Sequence, residues 1–298
     1  ADETGSSNDV EQNQAEDQLE DEQRGEDGET SDDNAVKAAA EGGQTETASG
    51  EIDSAEKLKT ELEKASDDAN FKLTKDIVTS ETIRLNKSGS NITLDLNGCK
   101  IKHTSSNLPL FNITGGATLT VKDGQQAAAK EISANQENKC GNLASMEYGD
   151  SNIPTKLTYY VTESVASGTV TNETLKAYEA GIKGAIVACS ETKAAGLRLV
   201  NLFNGGHFNF ESGVLTQKKD GQIGNLIYAE NGSTVNMSGG YVCGASGSGN
   251  GAGIMVSNDK GDASTLKLTG GVIAGNSAYN GGGVYARYSK VTITNGII

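Results

Sequence analysis

The sequence contains no tryptophan and has only two prolines and two histidines among its 298 residues. The absence of tryptophan weakens the hypothesis of a sugar-stacking groove, because such grooves rely on large aromatic faces. No stretch of the chain approaches the roughly 20 apolar residues of a membrane span. No charged segment followed by an apolar one opens the chain, so Ala1 is interpreted as a mature or trimmed start. We therefore expect no membrane span in this fragment.

Cysteine is also sparse, and its four positions are too scattered for a disulfide-dense scaffold. No CxxC pair or Cys/His cluster indicates zinc, and no cofactor or metal is predicted. Three full pairings are possible, and four free buried thiols are an equal alternative. The positions concerned are Cys99, Cys140, Cys189 and Cys243.

Basic residues are nearly absent from the first 50 residues, where sixteen Asp and Glu face only Arg24 and Lys37. That segment has a net charge of -14, out of -15 for the whole chain, so residues 51–298 are close to neutral. A near-neutral fold offers no basic face to nucleic acid. The acidic segment has too few apolar side chains to offset the roughly 1 to 2 kcal/mol per residue that backbone ordering costs. We predict a disordered acidic leader over residues 1–50, which serves as a spacer or, alternatively, as an arm for a basic partner.

The remaining sequence contains a repeat, in which two alternating apolar residues are followed by a glycine five positions after the first. Its last four copies start 27, 31 and 25 residues apart. The copies are Leu119, Val121, Gly124; Phe208, Phe210, Gly213; Val235, Met237, Gly240; Leu266, Leu268, Gly271; and Val291, Ile293, Gly296.

Each copy is too short to fold alone, and its apolar face requires a neighbour to cover it. Stacking of equivalent strands supplies that neighbour, which predicts an all-β fold with parallel coils of roughly 25 to 30 residues. An antiparallel sandwich is the structural alternative, but it does not require a recurring register. An amphipathic helix over residues 54–66 is predicted to cap the first coil. The repeat lapses over about residues 125–195, which indicates an insertion, and the chain stops within a repeat, which suggests missing coils.

Two stretches resemble a known family. The run SAEKLKTELEKASDDANFKLTKDIVTSETIRLNKSGSNITLDLNGCKI, residues 54–101, resembles the opening of pectate-lyase-like β-helices in large surface proteins of gut Firmicutes. The run GGVIAGNSAYNGGGVYA, residues 270–286, is similar to their repeated coil. The resemblance implies a right-handed parallel β-helix over residues 51–298 and a secreted or cell-surface bacterial location. It also implies a host partner, either mucin glycoprotein or immunoglobulin, the latter bound in the manner of a superantigen.

The residues needed for polysaccharide cleavage are not grouped in the sequence. A lyase of this fold needs carboxylates that hold calcium and a nearby base, and a hydrolase needs neighbouring aspartates. His103 and His207 have no nucleophile beside them and are predicted to have surface or turn roles. Asp95 is expected to point outward and support a turn. The glycine-rich run at residues 244–253 lacks the Lys and Ser/Thr of a phosphate loop and is interpreted as a turn of the repeat.

Tyrosines collect in the last coils, next to an arginine, and these residue types dominate protein-binding hot spots. The alternative is that they only cover the sheet surface. The candidate contact residues are Tyr241, Tyr279, Tyr285, Arg287 and Tyr288. We predict a monomeric, non-catalytic adhesin that docks a host protein or glycoprotein on a β-helix face or on the insertion. A polysaccharide lyase or hydrolase and a passive structural stalk are the alternatives.

Overall fold

The computed structural model describes residues 48–133, 144–162, 175–258 and 261–298. The described residues form one α-helix, a short 3-10 turn and twenty-four β-strands. The predicted leader therefore lies outside the described residues, except for its last three positions. Those three positions belong to a strand, so the folded part starts before Glu51.

The elements before the insertion are β1 (Ala48–Ile52), α1 (Ala55–Lys64), β2 (Asp68–Leu73), β3 (Ile77–Thr79), β4 (Ile83–Leu85), β5 (Asn91–Asp95), β6 (Lys100–His103), β7 (Phe111–Thr114) and β8 (Thr118–Lys122). The insertion contains β9 (Lys130–Ile132), β10 (Ala144–Tyr148), β11 (Pro154–Thr162) and β12 (Leu175–Gly181). The strands that follow are β13 (Ala185–Ala188), β14 (Ala194–Phe203), β15 (His207–Phe210), β16 (Val214–Gln217), β17 (Ile223–Glu230), β18 (Thr234–Met237), β19 (Tyr241–Cys243), β20 (Ile254–Ser257), β21 (Thr265–Leu268), β22 (Val272–Ala274), β23 (Val284–Arg287) and β24 (Lys290–Ile293).

The strands outside the insertion form three parallel sheets, which each coil visits in a fixed order. Sheet A has the order β1-β2-β5-β8-β15-β18-β21-β24, sheet B the order β3-β6-β13-β16-β19-β22, and sheet C the order β4-β7-β14-β17-β20-β23. Every pairing within these sheets is parallel, with equivalent residues of successive coils opposite one another. The fold is thus an all-β parallel solenoid of about seven turns, which confirms the predicted β-helix.

The repeated apolar pairs line the inner face of sheet A. Phe208 lies opposite Leu119 on one side and Val235 on the other, and the same column continues through Leu266 to Val291. These positions are fully buried from β8 to β21, as predicted. The expectation fails in β24, where Val291 is half-buried and Ile293 is 52% exposed. The reason is that β24 has a sheet neighbour on one side only.

The first coil is covered by α1, close to the predicted limits of 54–66. Ser54 is its N-cap, with the Oγ accepting a hydrogen bond from the Lys57 amide at 3.3 Å. Leu58 and Leu62 are fully buried against the solenoid core, while the rest of the helix is rich in Lys and Glu. The cap therefore hides the apolar end of the coil, as expected of a solenoid terminus. No helix among the described residues has the length and apolar character to cross a membrane.

The insertion is a four-stranded antiparallel sheet with the order β10-β11-β12-β9. It packs on the outer face of sheet B and forms a second apolar core there, in which Leu157 and Tyr159 meet Val214 and Tyr241. The helix-favouring composition of residues 172–181 is misleading, because the described part of that segment is β12. The predicted boundary at 195 is also too late, since β13 is already a regular strand of sheet B.

Two aspartates secure the turns between sheets A and B. Asp123 is nearly fully buried, and its carboxylate accepts hydrogen bonds from the amides of Gly98 at 2.7 Å and Gly184 at 2.9 Å. Asp95 accepts bonds from the Asn97 amide at 2.8 Å and the Gly124 amide at 2.9 Å, which confirms its predicted turn role. Both carboxylates therefore accept hydrogen bonds from backbone amides of the turns and stabilise those turns.

Candidate binding surface

The outer face of sheet C presents aromatic and charged side chains. In β14, Asn201 and Phe203 point away from the core, because side chains alternate along a strand. Their equivalents in later coils point the same way. We call this surface the sheet C face; its outward residues are Asn201, Phe203, Tyr228, Glu230, Met255, Ser257, Tyr285 and Arg287. The structure describes no strand or helix packed over it in the way that the insertion covers sheet B.

Three side chains interact with one another in the middle of the sheet C face. The guanidinium carbon of Arg198 lies 3.5 Å from the centroid of the Tyr228 ring. The Tyr228 hydroxyl donates a hydrogen bond to a carboxylate oxygen of Glu230 at 2.9 Å. Because Tyr228 is buried under Arg198, the arginine and Phe203, which is 39% exposed, form the accessible surface here. Sequence reasoning missed this cluster, since Arg198 belongs to an irregular part of β14 that shifts register against β17.

The predicted contact residues lie mostly together in the last described coil. Tyr285 and Arg287 are adjacent outward positions of β23, opposite Met255 and Ser257. Tyr279 lies in the turn that leads into β23 and is 83% exposed. Tyr288 follows β23 and is 74% exposed, with the Arg287 guanidinium carbon 5.3 Å from its ring centroid. We call Tyr279, Tyr285, Arg287 and Tyr288 the final-coil patch.

Tyr241 does not belong to this surface, although the sequence groups it there. It lies on the outer face of sheet B with 8% exposure, and its ring centroid is 6.2 Å from that of Tyr159 in the insertion. Burial raises the pKa of Tyr241. Burial, with the neighbouring Tyr241 and Tyr178, raises that of Tyr159 to about 12. Tyr241 is therefore a core residue, and its inclusion among the contact residues is wrong.

A left-handed backbone conformation marks the turn after several sheet C strands. The residue directly after the strand has a φ of 64° at Gly115, 48° at Asn204, 57° at Asn231 and 49° at Tyr288. Glycine and asparagine adopt this conformation readily, and a large aromatic residue does so rarely. Tyr288 thus occupies a position that the earlier coils fill with residues suited to it.

The exposed side of the insertion is the rival location for binding. Its strands carry Lys156, whose ammonium lies 3.2 Å from a Glu147 carboxylate oxygen and 3.1 Å from one of Glu179. Tyr159 and Tyr178 stack with centroids 5.5 Å apart, on the side that faces sheet B. The exposed side of β11 thus carries one cluster of paired charges together with Thr158 and Tyr160.

The two histidines are separate from each other and differ in environment. His103 is fully buried, so of the two predicted roles, surface or turn, it has the turn role; its Nε2 lies 2.7 Å from the Leu108 carbonyl oxygen. This bond supports the turn that follows β6. Burial lowers the pKa of His103, and the Leu108 carbonyl partly opposes the shift. His207 is half-exposed on the outer face of sheet A.

The described residues offer no group of three or more His, Cys, Asp or Glu side chains that could hold a metal ion. Cys99, Cys189 and Cys243 are free thiols, whereas Cys140 lies outside the described residues. Burial raises the pKa of Cys189 to about 11 and that of Cys243 to about 12, so both thiols are protonated at neutral pH. They are therefore poor nucleophiles.

The glycine-rich run at residues 244–253 is part of the repeat, as predicted. Ser246 forms a bridge with Ser277, and Asn250 forms one with Asn280 in the next coil. Asn276 links the two loops by accepting a bond from the Ala245 amide at 2.9 Å. The run thus joins sheets B and C in one coil and stacks on the matching loop of the next.

Comparison with known proteins gives no relative: no protein-family model, no curated protein and no solved structure matches this chain. The resemblance to pectate-lyase-like surface proteins is therefore supported only by the parallel β-helix itself.

Proposed function

We propose that this chain is a non-catalytic binding module of a bacterial cell-surface or secreted protein, which docks a host protein on the sheet C face. The observation that carries the proposal is the final-coil patch, which presents two highly exposed tyrosines together with Tyr285 and an arginine. Tyrosine and arginine provide large contact area and directed hydrogen bonds at interface hot spots. A solenoid suits this task because its stacked strands hold the outward side chains rigidly.

Immunoglobulin is the partner we favour among the host macromolecules that the sequence resemblance implies. The patch has the residue composition typical of protein contacts, and the chain lacks the tryptophan that commonly stacks on sugars. Mucin glycoprotein is the competing partner. Binding of mucin without binding of immunoglobulin would contradict our choice of immunoglobulin. No cofactor is required.

A binding assay with matched variants tests the proposal. Immobilised chain is exposed to polyclonal immunoglobulin and, separately, to purified mucin, with the parent and the Tyr285→Ala and Arg287→Ala variants compared. We expect immunoglobulin binding to weaken by about 2 kcal/mol or more at each true hot spot. The control is Thr158→Ala on the insertion, because Thr158 lies opposite Glu179 on the exposed side of that sheet.

The outcome also separates the two locations. Binding that survives the Tyr285 and Arg287 changes but is lost when the insertion is replaced by a short loop would move the site to the insertion. Binding of neither macromolecule would favour the passive stalk. Release of unsaturated or reducing ends from acidic polysaccharide in the presence of calcium would overturn the non-catalytic assignment.

A further inference from the structure

Tyr288 has a backbone conformation that is energetically unfavourable for a large aromatic residue. Its φ of 49° places it in the left-handed region, where the corresponding turns of earlier coils have Gly115, Asn204 and Asn231. The side chain is 74% exposed, so burial of the ring does little to offset the cost of this backbone conformation. Residues held in such sparsely populated conformations cluster at functional sites.

The last coils carry a small excess of basic residues. Residues 261–298 contain three of them, Lys267, Arg287 and Lys290, and one acid, Asp262, whereas residues 51–298 together are close to neutral. Lys267 and Lys290 are exposed on the outer face of sheet A, in the adjacent strands β21 and β24. Neither lysine forms an ion pair with another residue that the structure describes.

Tyr288 lies in the turn from sheet C to sheet A, and the two lysines lie on the outer face of sheet A beyond it. Lys290 follows Tyr288 by two positions, and Lys267 lies diagonally across the sheet from Lys290, since the register places Lys290 opposite Thr265 and Lys267 opposite Thr292. An exposed aromatic ring thus lies two residues before one exposed lysine, and a second exposed lysine follows on the same outer face. A surface with this composition complements one that carries carboxylates and an apolar contact area.

We infer that Tyr288, Lys267 and Lys290 form a contact site for an acidic protein surface, with the tyrosine as anchor and the lysines as the charges that steer association. The inference rests on the proposed function and adds the chemistry of the partner surface. It extends the final-coil patch around the turn, onto the edge of sheet A.

Two variants of the full chain test it against polyclonal immunoglobulin. Tyr288→Asn installs the residue that Asn204 and Asn231 provide at the same turn, and it should raise the thermal midpoint by about 2 to 4 °C because the strain is relieved. The same change should weaken binding about thirtyfold or more if Tyr288 is an anchor. The Lys267→Gln and Lys290→Gln double variant should slow association about tenfold at low salt and reduce its dependence on salt concentration.

Two control variants isolate the effect. Asn231→Gly changes an equivalent turn without touching the proposed contact, and Lys72→Gln removes a lysine from the outer face of sheet A near the capped end. Both should bind immunoglobulin like the parent chain. Heparin is added as a competitor, because displacement by this polyanion alone would show a general anion site in place of a protein contact.

Each result decides a separate point. Binding that is indifferent to both test variants overturns this inference and leaves the proposed function standing. A thermal midpoint lowered by several degrees in Tyr288→Asn would show that the tyrosine serves the fold, which also overturns it. If the parent chain binds no immunoglobulin, the proposed function fails and the inference fails with it.

Discussion

Sheets B and C are formed by the same coils, but their outer faces differ in how far their outward side chains are buried. The outward residues of β16 and β19 in sheet B are buried beneath the insertion, whereas β23 in sheet C leaves its outward residues half-buried or exposed. Tyr241 and Tyr285 illustrate the contrast, because each is an outward tyrosine of a short parallel strand. The insertion buries Tyr241, whereas Tyr285 lies in the last described coil and is half-buried. Tyr228, in the interior strand β17 of sheet C, is only 5% exposed, so the position of a coil in the stack also affects exposure.

The largest effect is expected at Tyr241. Its replacement by alanine should lower the free energy of unfolding by about 3 to 5 kcal/mol, because it leaves a cavity between the insertion and sheet B. Chemical denaturation followed by circular dichroism measures the loss. Tyr241→Phe is the control, since it keeps the ring, and it should cost much less. A loss below about 1 kcal/mol in Tyr241→Ala would contradict the packing of the insertion on sheet B.

The inner core provides the reference for this comparison. Leu268→Ala should cost about 2 to 5 kcal/mol, because Leu268 is fully buried between Met237 and Ile293 in the sheet A column. Its matched control is Lys267→Ala, the neighbouring outward position, which should change stability by less than about 0.5 kcal/mol. The same denaturation measurement distinguishes them. Equal losses at the two positions would contradict the inward and outward alternation of β21.

The burial of His103 on the inner side of sheet B can be tested by measuring stability as a function of pH. Its folded-state pKa is lowered by burial, so the fold favours the neutral ring. Stability is therefore fully present above the unfolded-state pKa of about 6.5 and is lost as the pH falls from there toward the folded-state value. Thermal midpoints between pH 7.5 and pH 5 should fall, and the fall should be smaller in His103→Gln. An unchanged pH dependence in that variant would assign the effect to other groups.

The smallest effect on stability is expected on the sheet C face. Tyr285→Ala and Arg287→Ala should each change the free energy of unfolding by about 0.5 kcal/mol or less, because neither residue is part of a buried core. Thermal unfolding of the same protein samples used for binding provides the measurement. A cost comparable to that of Tyr241→Ala would show that the sheet C face is also covered and is not a free contact surface.

Much of the architecture was predictable from the repeat alone. The positions of Phe208, Val235 and Leu266 predicted the inner column of sheet A, and alternation in the same strands predicted which residues face outward. The cap helix was predictable because Ser54, Leu58 and Leu62 combine a capping residue with one apolar stripe. These features follow from local spacing, which a single sequence contains.

The lapse of the repeat predicted the insertion, but not where the insertion packs or which residues it buries. The segment AIVA of β13 is apolar on both faces because the insertion covers it, so it lacks the alternation that identifies the other strands. Tyr241 was grouped with Tyr279 and Tyr285 because all three lie in the last coils of the sequence. Only the packing of an antiparallel sheet far earlier in the chain buries it.

The sequence by itself determined the parallel coils, their register and their capped first turn, because periodic burial is encoded in neighbouring residues. The tertiary structure alone decided which outer face is covered and which stays open. That choice depends on where the insertion packs, through contacts between residues such as Leu157 and Val214 that are distant in sequence. It also decided that Tyr288 is exposed in a left-handed turn, because neither its exposure nor its backbone conformation follows from the local sequence pattern.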